Sequence, residues 1–160
     1  LKFHTAHGRT VYGGGGIMPD IFVPNDTSGL SSYYINVANA GLLQRFAFDY
    51  VDDNRDVLSQ ATDVEQLEKL LPNDEALLRQ FVHFASRNGF PARWYYIHIS
   101  HDLIVNQLKA LIARDALGYD AFYRIANTMD PDVKRAVEEL LNGSAAFPIL
   151  PEKGQVPVNN

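Results

Sequence analysis

The spacing of hydrophobic residues changes at about residue 25 of this 160-residue chain. Before that point, short apolar runs in 1–6, 9–12 and 20–23 alternate with polar and glycine-rich stretches, a pattern typical of short β-strands. From Leu30 onward, apolar residues recur every three or four positions, which is the period of an amphipathic α-helix. The pattern predicts a mainly α fold, a compact module of five or six helices with a short N-terminal β-arm.

The ends of the helices are marked by capping residues and by glycine or proline. The apolar period and these end signals together predict helices over 30–52, 64–71, 74–88, 101–117, 120–128 and 132–141. Asp63, Asn73 and Ser100 precede three of them and are the expected N-caps. Gly41 lies inside the first helix, where we interpret it as a point of close packing against a neighbouring element, with a hinge as the alternative.

Composition divides the chain into three segments. Residues 1–24 form the predicted β-arm, and 25–146 form a helical domain that begins with a polar, turn-forming link. Residues 147–160 contain three prolines and little periodicity, so we expect an extended or disordered tail.

The segment 8–20 holds the most conformationally special residues of the chain. Its four consecutive glycines, 13–16, have no Cβ, so their backbone can adopt positive φ and lie close to another surface. Apolar residues at 10–12 and 21–23 flank the glycines, and we interpret them as two short strands joined by a glycine loop. A phosphate-binding loop is disfavoured, because no Lys-Ser or Lys-Thr pair follows the glycines.

Both ends of this segment carry further specific residues, and their order resembles the last part of the catalytic domain in the C-terminal processing peptidases. These tail-specific proteases are serine endopeptidases of the bacterial envelope. The resemblance lies within residues 1–24 and rests on Gly8, Arg9, Val11, Gly16, Ile17, Pro19, Asp20 and Ile21. A glycine loop of no particular family is the alternative.

The resemblance implies that the chain is a C-terminal fragment of such a protease, the end of the catalytic domain followed by a C-terminal helical region. In that family a Ser nucleophile and a Lys general base lie upstream of this segment, so they would lie upstream of Leu1, and the fragment alone should be inactive. The implied partners are the catalytic domain of the same polypeptide and the protein or peptide substrates of the parent protease. A periplasmic or cell-envelope location follows from the resemblance alone.

Charge and cysteine content exclude several other functions. The formal net charge is −5 and the basic residues are spread along the chain, so no basic stripe is available to bind nucleic acid. No stretch of the sequence approaches the ~20 apolar residues that a membrane span requires. The chain has no cysteine, which excludes disulfides, Cys-ligated zinc and a thiol nucleophile. We expect no cofactor.

Ser100, His101 and Asp102 are the three residue types of a serine-protease triad in direct succession. Neighbouring residues on a helix point ~100° apart and cannot form the nested hydrogen bonds of a triad. We therefore interpret Ser100 as a helix cap and assign no catalytic residue within the chain. The lysines lie on helix flanks or near the chain ends, where none has the setting of a buried general base.

Two histidine pairs and several acidic pairs are candidates for other kinds of site. His98 and His101 are three positions apart, as are His4 and His7, but no third or fourth ligand completes a metal-binding pattern in either place. Acidic pairs such as Asp52–Asp53 lie at predicted helix ends, where solvation is the ordinary explanation. We predict no metal site.

An aromatic cluster lies between the predicted helices 74–88 and 101–117. Its residues Arg93, Trp94, Tyr95 and Tyr96 include the single tryptophan of the chain. These residue types are enriched at interfaces, so the cluster is a possible interface. The favoured interpretation is that the aromatic rings fill the core between the two helices.

Two functional hypotheses remain open. In the preferred one, the glycine-rich arm completes a protease fold and the helices serve assembly, substrate handling or structural support, with a possible homo-oligomer through the β-arm. In the other, the chain is a stand-alone helical protein-interaction module with no protease attached.

Overall fold

The computed structural model describes residues 2–4, 10–13 and 21–142. Within these ranges, strands β1 (Lys2–His4) and β2 (Thr10–Tyr12) form an antiparallel pair. The register places Phe3 opposite Val11. The interpretation of residues 10–12 and 21–23 as two strands joined by a glycine loop holds only for 10–12, which pair with β1.

Residues 21–23 form no strand. Phe22 is exposed, and Pro24 lacks the N–H group that a strand ladder would need. The glycine residues 14–16 and the tail 147–160 lie outside the described residues.

The described residues contain nine helices: α1 (Ser32–Asn39), α2 (Leu42–Asp53), α3 (Arg55–Leu58), α4 (Val64–Leu70), α5 (Asp74–Arg87), α6 (Trp94–Ile99), α7 (His101–Leu117), α8 (Tyr119–Ala126) and α9 (Pro131–Asn142). The prediction of a mainly α fold is confirmed. The helices outnumber the five or six predicted for two reasons. The first predicted helix is divided into α1 and α2, and α3 and α6 are short helices in segments without a clear helical spacing of apolar residues.

Gly41 separates α1 from α2. Its φ of 69° is in the left-handed region, which residues with a Cβ rarely adopt. A Cβ at this position would meet nothing within 4 Å. The close-packing interpretation of Gly41 is therefore wrong: the glycine is needed for its backbone angle at a helix break.

Local end signals account well for α4 and α5. The Asp63 carboxylate accepts a hydrogen bond from the Gln66 backbone N–H at 2.9 Å, and the Asn73 side chain accepts one from Ala76 at the same distance. Both predicted N-caps are confirmed, because each side chain satisfies an N–H that has no partner within its helix.

Residues Asn25–Lys134 form one compact unit. At its centre is α7, against which α2, α4, α5 and α8 pack. The four consecutive residues 110–113 of α7 are all buried. Because four consecutive helical positions point in all directions around the axis, α7 is enclosed on several sides.

Candidate functional site

Helix α6 carries the predicted aromatic cluster on its outer side. Trp94 is 39% exposed and Tyr95 is 73% exposed, whereas Ile97 is fully buried. The favoured interpretation, in which the cluster fills the core, is therefore wrong for Trp94 and Tyr95. In this six-residue helix Ile97 is buried and the half-buried Tyr96 packs against the core, whereas Trp94 and Tyr95 lie at the surface.

Arginine side chains lie against these rings. The guanidinium carbon of Arg79 on α5 is 5.6 Å from the Trp94 ring centroid, and that of Arg93 is 5.2 Å from the Tyr96 ring centroid. Both distances are within the range of a cation–π contact. We call Arg79, Arg93, Trp94, Tyr95 and Tyr96 the aromatic surface. Exposed tryptophan, tyrosine and arginine on a rigid support are the residue types that anchor protein interfaces.

Replacing Trp94 by alanine should lower the free energy of unfolding by about 1 kcal/mol or less, because it removes a half-exposed ring and one cation–π contact. Ile97→Ala on the same helix is the matched control and should cost about 2–5 kcal/mol, since it leaves a cavity in the core. Urea denaturation of both variants checks the pair. A Trp94→Ala loss as large as that of Ile97→Ala would show that Trp94 belongs to the core.

The serine of the triad-like sequence is buried and engaged elsewhere. The Ser100 hydroxyl donates to the Gly29 carbonyl at 2.6 Å and accepts from the Ser31 backbone N–H at 2.9 Å. Its oxygen is also 2.8 Å from the Ser31 hydroxyl oxygen. A hydroxyl has one proton and two lone pairs. The Gly29 carbonyl can only accept a hydrogen bond, so the single Ser100 hydroxyl hydrogen is donated to it. The Ser31 hydroxyl must then donate to the Ser100 oxygen.

This arrangement corrects the helix-cap interpretation of Ser100. The residue does occupy the N-cap position of α7, but its side chain makes no capping bond there. Instead it fastens the chain entering α1 to the junction of α6 and α7. His101 Nδ1 is 2.7 Å from an Asp102 carboxylate oxygen, and Ser100 does not join them. The three side chains therefore form no triad, as their spacing predicted.

A groove of about 560 Å³ lies beside α4, α7 and α8 in the Asn25–Lys134 unit. Acidic and basic side chains both line the groove, and two of the basic ones form ion pairs with acidic ones. Lys109 is 2.5 Å from Asp74, and Arg124 is 2.6 Å from Glu65. Within the described ranges no group of three or more His, Cys, Asp or Glu side chains could hold a metal ion.

The residues of the glycine-rich motif are described only in part. Val11 lies in β2, and Ile21 lies in irregular chain. The other motif residues lie outside the described residues: Gly8, Arg9, Gly16, Ile17, Pro19 and Asp20.

A second cavity lies between α2 and α5, where no site was predicted. Asp49, Tyr50 and Asp53 line it from α2. Asp49 and Asp53 are four positions apart, which places both on one face of a helix, and that spacing is the signal that could have found them. The acidic pair named from the sequence was Asp52–Asp53. In the structure only Asp53 lines the cavity, whereas Asp52 forms an ion pair with Arg55 at 2.7 Å.

One comparison with known proteins assigns a family. The model of a family of unknown function (DUF8443) matches residues 33–118, just over half of the chain. The chain belongs to this family. The DUF8443 region extends from α1 to the end of α7, so it includes the aromatic surface, Ser100 and the α2–α5 cavity, but neither residues 8–21 nor α8 and α9.

No curated protein and no solved structure matches the chain. None of the helices described is long and apolar enough to cross a membrane.

Proposed function

We propose that this chain is the C-terminal, non-catalytic part of a tail-specific serine endopeptidase of the cell envelope, in which the helical unit is a protein-binding module. The observation that carries the proposal is the ordered set of residues from Gly8 to Ile21, in which a Gly-Arg pair, a glycine run and a Gly-Ile-Met-Pro-Asp-Ile sequence follow one another. A single glycine motif arises often by chance, whereas the two joined ends rarely do.

The short strand pair supports the same proposal. Strands β1 and β2 have three residues each. An isolated two-stranded hairpin is at best marginally stable in water and needs further strands or a helix against it. A catalytic domain upstream of Leu1 would supply neighbouring strands, and so would a second copy of the chain.

The engagement of Ser100 supports placing the nucleophile outside the helical unit. A nucleophilic serine needs a base that accepts its proton and an open position for the substrate. The Ser100 proton is held by the Gly29 carbonyl, and the side chain is buried. The upstream domain would then carry the catalytic Ser and Lys, as the family resemblance implies.

The aromatic surface supports the binding role. It exposes Trp94 and Tyr95 beside two arginines on a helix anchored by Ile97. We propose that this surface docks on the catalytic domain of the same polypeptide, where it would support the domain or help position a protein substrate.

The coding sequence upstream of Leu1 tests the proposal directly. We expect the reading frame to continue upstream through a Ser and then a Gly-Lys segment, and the encoded protein to cleave an unstructured protein such as casein. The chain from Leu1 to Asn160 alone should leave casein intact. A start codon directly before Leu1 would overturn the protease assignment. Cleavage by the isolated chain that persists after Ser100→Ala and His101→Ala would overturn the non-catalytic assignment.

A stand-alone interaction module is the second candidate, and one observation favours it. The DUF8443 region begins at Tyr33 and leaves out the glycine-rich segment. A helical region that defines a family without residues 8–21 favours a module that is separate from the glycine-rich segment. The two candidates differ in the upstream reading frame, so the same experiment separates them.

A further inference from the structure

The cavity between α2 and α5 has a volume of about 330 Å³ and an opening to solvent. Its lining includes Phe46, Asp49, Tyr50 and Asp53 from α2 and Phe84 from α5. Small-ligand sites usually occupy about 300–1,000 Å³, so this cavity is at the lower end of that range. Its size suits one long side chain better than a large cofactor.

Aromatic rings form the apolar part of the cavity. The Phe46 ring centroid is 5.8 Å from that of Tyr50 and 5.6 Å from that of Phe84. Phe46 also meets the buried Phe81 edge to face, with ring centroids 5.6 Å apart. The rings of Tyr50 and Phe84 are thus held by packing while they remain half-buried. The electron-rich face of such a ring attracts a cation.

Two carboxylates form the polar part. Asp49 and Asp53 are four positions apart on α2, so their Cβ atoms are neighbours, about 5–6 Å apart. Neither carboxylate has an ion-pair or hydrogen-bond partner among the described residues, although Asp49 is half-buried. The carboxylate of Asp52, one residue from Asp53, is exposed and paired with Arg55. Among the three acidic residues of α2, Asp49 and Asp53 are therefore the two without a counter-charge from the described residues.

Among the described residues, no cationic side chain lines the cavity. The remaining lining side chains, Asn54 and Gln80, are neutral. The nearest cation on α2 is Arg45, which donates to Asn88 at 3.1 Å and lies over the Phe84 ring, 5.6 Å from its centroid. Arg45 does not line the cavity, but its contact with Phe84 shows that a cation is accommodated beside this ring.

We propose that the α2–α5 cavity binds the cationic side chain of a protein partner, a lysine or arginine within a basic segment. The carboxylates of Asp49 and Asp53 would accept charge-assisted hydrogen bonds from the ammonium or guanidinium group, and the Tyr50 and Phe84 rings would contact the aliphatic stem and the charge. The net charge of −5 favours approach of a basic partner.

The larger groove beside α7 carries no comparable inference. Its Lys109 and Arg124 are each paired with a carboxylate of the same groove, and Lys134 adds a further cation to the lining, so a basic partner would meet positive charge there. The α2–α5 cavity presents two carboxylates with no such competitor. The proposal rests on this cavity and holds whether or not a protease domain precedes the chain.

Titration of the ¹⁵N-labelled chain with a short blocked peptide, one lysine among glycines and serines, tests the proposal. We expect saturable amide shifts confined to residues around Asp49, Tyr50, Asp53 and Phe84, with a Kd of about 1 mM or below, which corresponds to about −4 kcal/mol. A peptide with glutamine in place of lysine should cause no saturable shift. Added salt should weaken binding of the lysine peptide, because the carboxylates are partly open to solvent and their charge is screened.

Variants of α2 make the test specific. The double variant D49N/D53N should weaken binding of the lysine peptide at least about tenfold, since it removes both carboxylates that accept charge-assisted hydrogen bonds. D52N, which removes a charge from the same helix outside the cavity, should change the Kd less than about twofold. Unchanged melting curves would confirm that both variants fold.

Three results would overturn the proposal: no saturable shift with the lysine peptide, equal binding of the glutamine peptide, or equal weakening by D52N and D49N/D53N. Equal weakening would mean that the peptide binds to the overall negative charge of α2 and not to the cavity. None of these results bears on the protease proposal, which depends on the upstream reading frame.

Discussion

Replacing Phe81 by alanine should lower the free energy of unfolding by about 3–5 kcal/mol. Phe81 on α5 is fully buried, and its ring meets Phe46 of α2 at an interplanar angle of 79°. Alanine would remove the ring and leave a cavity where α5 meets α2, which well-packed neighbours fill only in part. A loss of this size is a large fraction of the total stability of a domain, about 5–15 kcal/mol.

Phe48→Ala is the matched control for Phe81→Ala. Phe48 is on α2, two positions from Phe46, but is 64% exposed. Its removal should change the free energy of unfolding by no more than about 0.5 kcal/mol. Guanidinium denaturation of the two variants checks the contrast. A loss below about 1 kcal/mol for Phe81→Ala would contradict the assignment of Phe81 to the core.

The parts of the fold that follow from local sequence were predictable. The side chains of Asp63 and Asn73 cap α4 and α5 through bonds to residues three positions ahead, so a short stretch of sequence contains all the information. The same is true of α7, whose apolar period runs uninterrupted from Ser100 to Gly118.

The break at Gly41 and the orientation of α6 depend on contacts distant in sequence. Apolar residues at helical spacing lie on both sides of Gly41, so periodicity alone gave one long helix, whereas the positive φ of this glycine ends α1. In α6, the packing of Ile97 into the core decides which rings face outward. Residue types alone do not determine which rings face outward, and hence the cluster was assigned to the core.

The candidate sites show the same division. The residue types of the aromatic surface were visible in the sequence, and their exposure was not. Asp49 and Asp53 have the spacing of one helix face. They line a cavity only because α5 places Phe84, which is 31 or more positions away in the chain, on its opposite side. The partnership of Ser100 with Gly29 and Ser31, about 70 positions away, has no local signal at all.

Because of that partnership, Ser100→Ala should also destabilise the protein strongly. The hydroxyl joins two distant segments through three bonds, and its loss would leave the Gly29 carbonyl, the Ser31 N–H and the Ser31 hydroxyl without their partner. Because an unsatisfied buried polar group costs about 1–3 kcal/mol, and water can reach the half-buried Gly29, we expect a loss of about 2–3 kcal/mol in the free energy of unfolding.

Hydrogen exchange would distinguish loss of these bonds from loss of packing, since Ser100→Ala should lower the protection of the Ser31 amide more than that of residues in α5. Ser86→Ala is the matched control. Its hydroxyl donates one bond to the Val82 carbonyl at 2.8 Å on the surface of α5, and its removal should change stability by no more than about 0.5 kcal/mol. If Ser100→Ala were as mild as Ser86→Ala, or if the Ser31 amide kept its protection, Ser100 would not be what holds the entry of α1 to the start of α7.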